Sequence, residues 1–149
     1  MIDKTTTIYT IGFTKKSAKT FFELLRNNGI KKIIDIRLNN VSQLAGFTKK
    51  EDLEYFLRTI QNVDYKHMPI FAPNEDILSA YKKKKITWKE YEEKFISLIS
   101  ERQVEKLISK EELNNSCLLC SEEKPEYCHR RLLAEYFKTK WDNVVVKHI

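Results

Sequence analysis

The segment Cys120 to Arg130 (CSEEKPEYCHR) gathers two thiols, an imidazole, a guanidinium and several carboxylates within one short stretch. A thiol that faces a helix N-terminus and a cation ionises more easily and becomes a nucleophile, and a neighbouring histidine can take its proton. Cys120 is the candidate nucleophile, and His129 the first candidate proton carrier. The apolar run before it, Ser116 to Cys120 (SCLLC), suits a buried strand. The run after it, Arg130 to Phe137 (RRLLAEYF), suits a helix packed on that strand. Pro125 fits the first helical turn, where its missing N–H is not needed. A strand–loop–helix junction of this kind aims backbone N–H groups at its loop and can hold an anion, with Arg130 beside it.

Each of these residues also has a plainer structural reading. A free cysteine at a strand end is often just a small buried hydrophobe. Cys128 and His129 lie four residues before Leu132 and Leu133, so both side chains are expected to point toward the sheet. A histidine beside a buried cysteine costs desolvation unless it is used or paired. Glu122 and Glu123 can serve as acid or base, but loop carboxylates are mostly solvated. Metal is an alternative use of the thiols. Cys117 and Cys120 have the two-residue separation of a zinc knuckle, but a strand through Leu118-Leu119 would turn their sulfurs to opposite faces. Cys120, Cys128 and His129 would supply three ligands, with His67 as a fourth candidate, yet without a recognised zinc spacing. No metal ligand is assigned on this basis, and the sequence specifies no cofactor.

The elements that must position these groups alternate between strand and helix. Thr6 to Gly12 reads as a first strand, followed by a helix capped by Ser17 with Phe21, Phe22, Leu24 and Leu25 as its apolar stripe. Ile30 to Ile36 is a second strand that closes on Asp35-Ile36-Arg37, and a polar loop follows from Leu38 to Phe47. Thr48 and Glu51 match a capping box for a helix carrying Leu53, Phe56, Leu57 and Ile60. Asp64 to Met68 is a brief strand stopped by Pro69, and Glu75 to Tyr81 a helix. Thr87 and Glu90 match a second capping box for a long helix reaching past Val104 to Leu107. SCLLC, the helix after Pro125 and a last strand from Asn143 to Ile149 complete the pattern.

This alternation predicts a single α/β domain of three layers, spanning residues 1–149. Its sheet is mainly parallel, has about five strands and carries helices on both faces. Ligands in such sheets bind beyond the carboxyl ends of the strands. Gly12-Phe13, Asp35 to Arg37, His67 and Cys120 to Glu122 follow or close the first strands, so one edge would collect them. Asp35 and Arg37 share a strand face, where they can grip a polar substrate or simply pair with each other. Asp35 is the candidate orienter and His67 the second candidate proton carrier.

Hydrophobic residues make up 42% and charged residues 32% of the 149, the balance of a globular protein with a modest core. No apolar run approaches the roughly 20 residues that span a bilayer, so no membrane partner is expected. The N-terminal residues lack a secretory signal, and three cysteines are an odd number. Both features point to the cytoplasm and to reduced thiols. The net charge of +6 favours acidic partners, a small anionic molecule or nucleic acid. The lysine run Lys82 to Lys85 reads first as a solvated face. Nothing in the sequence sets an oligomeric state.

TIGF at Thr10 to Phe13, DIR at Asp35 to Arg37, Ser42 before Gly46-Phe47, then Tyr65, His67, Pro69, CSEEKPEYCHR and VKHI occur in a recognisable order. The chain thereby resembles the domain-of-unknown-function 488 family, with the CHR triplet Cys128-His129-Arg130 its most specific element. The resemblance implies a compact α/β domain and a pocket built from these motifs, with Gly12, Arg37, Ser42, Tyr65, Glu122, Cys128 and Arg130 as substrate-binding candidates. It supplies no established reaction. Phe13-Thr14 stands where the family commonly has histidine and serine, so no histidine role passes to position 13. The functional expectation is a small enzyme acting on an anionic, phosphate-bearing substrate such as a nucleotide or nucleic acid. The alternatives are a metal-binding protein using Cys120, Cys128 and His129, and a non-catalytic nucleic-acid-binding module.

Overall fold

Short runs, β-branched in three cases and carried by Tyr65 or by the leucines of SCLLC in the others, become the strands, and their order places the chemistry. In the computed structural model, which describes residues 5–39, 46–122 and 124–149, the strands are β1 (Thr6–Gly12), β2 (Lys32–Asp35), β3 (Asp64–His67), β4 (Ser116–Cys120) and β5 (Val144–His148). They form one parallel sheet in the order β3-β2-β4-β1-β5. The expected α/β class, strand number and parallel arrangement are all found.

The helices are α1 (Ala18–Asn27), α2 (Lys50–Tyr55), α3 (Glu75–Lys82), α4 (Trp88–Arg102), α5 (Lys110–Leu113) and α6 (His129–Lys140). Strand side chains alternate between faces and feed two separate apolar clusters. Tyr9, Ile11, Ile33, Tyr65, Cys117 and Leu119 pack with Phe21 and Leu25 of α1 and Leu53 of α2. Ile8, Ile34, Leu118 and Cys120 pack with residues of α3, α4, α5 and α6, among them Ile77, Phe95, Leu113, Leu133 and Phe137. The sheet is therefore covered on both sides. No helix among the described residues is long and apolar enough to cross a membrane.

Several local expectations differ from what is found. Thr48 is buried, the N-cap of α2 is Lys49 without a side-chain cap bond, and the capping box expected of Thr48 and Glu51 does not form. Thr48 instead ends the 3-10 turn Gly46–Thr48, and its carbonyl accepts from Arg37. The box at Thr87 and Glu90 does form. Its helix stops at Arg102, since Gln103 adopts a left-handed φ of 52° and Val104 starts a separate 3-10 turn. Pro125 likewise opens a 3-10 turn, Pro125–Tyr127, and Cys128 is extended, so α6 begins only at His129.

Candidate active site

The carboxyl ends of β1, β2 and β4 end beside one cavity of about 620 Å³. Its lining includes Phe13, Arg37, Cys120, Glu122, Cys128 and His129. The volume lies within the ~300–1,000 Å³ of typical small-molecule sites. A second cleft of about 660 Å³, between α1 and the π-helical turn Phe56–Gln61, is mainly apolar and holds none of the groups singled out above.

The parallel register sets Gly12, which does not itself line the cavity, beside Cys120. The loop leaving β4 crosses so close to β1 that a Cβ on Gly12 would lie 1.6 Å from the Glu122 carbonyl oxygen. Only glycine admits that approach. Arg130 fastens the loop from below: its Nη1 donates to the Glu122 carbonyl (2.6 Å) and its Nε to Thr10 Oγ1 (3.3 Å). The Thr14 amide and hydroxyl donate to the Ser121 carbonyl. Arg130 is thus 1% exposed and does not line the cavity, contrary to the expectation of an anion-binding guanidinium there. Its charge holds backbone instead.

Cys120 and Cys128 are joined as a disulfide, so the expectation of reduced thiols at this point is corrected. Both are almost fully buried, as is His129 at 8% exposure. His129 Nδ1 lies 3.7 Å from Cys120 Sγ, while its Nε2 is 2.8 Å from the Ile36 carbonyl. A carbonyl accepts only, so Nε2 carries the proton and the Nδ1 lone pair faces the sulfur. Burial holds the imidazole neutral, lowering its pKa to about 4 despite the Ile36 contact. Cys117 points to the opposite sheet face, where burial drives its thiol pKa upward. Its expected place in the core is found, and it takes no part in this corner.

Asp35, Tyr65, Arg37 and His67 form a different assembly. Asp35 is fully buried. Its Oδ1 accepts from Arg37 Nε (2.9 Å), and its Oδ2 accepts from Arg37 Nη2 (2.8 Å) and the Tyr65 hydroxyl (2.6 Å). Arg37 also donates to the Thr48 carbonyl, and its guanidinium lies over the Phe13 ring. His67 Nε2 contacts the Arg37 carbonyl at 2.7 Å. The expected pairing of Asp35 with Arg37 is present. Asp35, Tyr65 and His67 do not line the cavity, so Asp35 orients Arg37 rather than a histidine, and His67 braces the end of β2. Arg37 alone of this group reaches the cavity. Ser42 lies outside the described residues.

Four aromatic rings that the sequence reading did not assign to a site line the same cavity. Trp88 stacks on Tyr91 at 4.8 Å between ring centroids and meets Tyr81 and Tyr127 edge-on. All four rings line the cavity, and Tyr127 is 62% exposed. The spacing of Trp88 and Tyr91, three apart behind a helix cap, was the available signal that they share a face. Lys82 and Lys84 stand at the rim, both exposed. Lys84 has a left-handed φ of 59° just past α3. The lysine run is solvated, as expected, and two of its members also border the cavity.

The sequence matches the family model described as Domain of unknown function DUF488 over residues 17–137. The chain belongs to this family. The DUF488 match includes β2 to β4, the disulfide and α6 as far as Phe137, and it leaves out β1 and β5, over which the motif resemblance had run. Neither a curated protein nor a solved structure matches the chain.

Proposed function

We propose that this DUF488 protein is a small enzyme that takes a planar, anionic molecule, of the nucleotide kind, into the cavity at the carboxyl end of its sheet. The reaction centre is the Cys120–Cys128–His129 corner. One observation carries the reading: a single cavity joins that corner to an aromatic wall and to two exposed cations, Lys82 and Lys84. Aromatic side chains stack on any base, and flanking cations attract phosphate. The disulfide encloses the corner in its oxidised state. After reduction, the Cys120 thiol can donate a hydrogen bond to the Nδ1 lone pair of His129, because the other ring nitrogen is committed to Ile36. A neutral imidazole is the form able to accept it.

The test is binding of a nucleoside monophosphate, followed by the fluorescence of Trp88, with inorganic phosphate and the free nucleoside as controls. The intact nucleotide should bind more tightly than either part. Tyr127→Ala should weaken it about tenfold, since base stacking contributes roughly 1–3 kcal/mol. Its side chain is mostly exposed, so folding should be unaffected. Equal affinity for nucleotide and phosphate, or no loss in the Tyr127 variant, would remove the planar-ligand reading.

A further inference from the structure

We infer that the reduced protein holds one soft divalent cation, zinc foremost, between Cys120 Sγ, Cys128 Sγ and His129 Nδ1, with the fourth coordination position open to the cavity. These three ligand atoms lie within 4.8 Å of one another. Zinc bonds of about 2.3 Å to sulfur and 2.0–2.1 Å to nitrogen make a tetrahedral S···N edge of about 3.6 Å. Cys120 Sγ and His129 Nδ1 are 3.7 Å apart. The cysteine Cα atoms are separated by 7.3 Å, wider than the ~4.4–6.8 Å that most disulfides bridge, and that spacing leaves room for an ion between two thiolates.

The histidine is the second, independent observation. Metal-bound histidines characteristically donate their other ring N–H to a carbonyl or carboxylate, which fixes the tautomer and the ring plane. His129 does so through Nε2 to Ile36, and Phe95 meets its ring edge-on. Its buried Nδ1 lone pair faces a disulfide sulfur, which has no hydrogen to donate. Reduction and an ion would give that lone pair a partner. Two thiolates and a neutral imidazole cancel the charge of a divalent cation, so the burial that disfavours single charges tolerates the complete site. Three protein ligands with a fourth position facing a pocket is the arrangement of catalytic rather than structural zinc. The ion site stands on this geometry alone. Only the expectation that the bound molecule reaches the ion rests on the proposed function.

The full chain, reduced with a small dithiol and stripped with chelator, is titrated with zinc and with cobalt alone. One ion per chain should bind, cobalt should show a thiolate-to-metal charge-transfer absorption, and the oxidised protein should bind none. His129→Gln should weaken uptake by more than the ~10–100-fold that loss of an outer partner costs. Cys117→Ser should change nothing. Should a ligand variant fail to fold, the parent chain still decides: zinc must block alkylation of Cys120 and Cys128. No uptake by reduced, folded protein, equal uptake by oxidised protein, or unblocked alkylation with zinc present would overturn the site. Nucleotide binding measured on the oxidised, ion-free protein reports on the proposed function separately.

Discussion

His129 carries the sharpest chemical constraint in the molecule, because it is a histidine denied water and left with one lone pair facing sulfur. Its pKa falls to about 4 in the folded chain through burial, against about 6.5 when unfolded. Below pH 6.5 the unfolded chain therefore takes up a proton that the folded chain refuses, and stability declines as pH falls toward 4. For the oxidised, ion-free protein this amounts to about 2 kcal/mol lost between pH 7 and pH 5, at ~1.4 kcal/mol per pKa unit. Urea unfolding at the two pH values should show that loss in the parent and a clearly smaller one in His129→Gln. A pH dependence unchanged by the substitution would mean that other groups titrate in its place.

Among the elements, the contact between β1 and the loop leaving β4 sets the shape of the corner. Gly12 lets the Glu122 carbonyl approach, and Arg130 then holds it. Gly12→Ala must push that carbonyl away, since 1.6 Å is no possible contact. Overpacking of this kind costs about 1–3 kcal/mol or more. Thermal unfolding should register the loss, and nucleotide binding should weaken beyond what instability explains; a variant as stable and as tight as the parent would deny the close approach. The strands and most helices were legible because hydrophobic periodicity and caps are local signals. Gln103 ends α4, and Pro125 starts a 3-10 turn rather than α6, through backbone angles that no periodicity reveals. The candidate site was legible only in part for a related reason. Cys120, Cys128 and His129 are near neighbours in sequence. Whether Asp35 would reach them depended on the sheet face it occupies and on Arg37 and Tyr65, which saturate it. Arg130 looked like an anion ligand until the loop carbonyl it holds was seen.

At the scale of the whole molecule, the parallel sheet gathers the ends of β1, β2 and β4 at one edge, and α3 and α4 close that edge into a cavity. The chain carries a net charge of +6, and the exposed Lys82 and Lys84 border this hollow together with the aromatic wall. The central claim is the proposal that the substrate site and the reaction centre share this one place. It is tested most directly by the rate at which a small dithiol reduces the Cys120–Cys128 disulfide, with and without saturating nucleoside monophosphate. The ligand should slow reduction in proportion to its occupancy, because it stands between solvent and the sulfurs. Reduction at the same rate with the ligand demonstrably bound would place the molecule elsewhere and contradict the account.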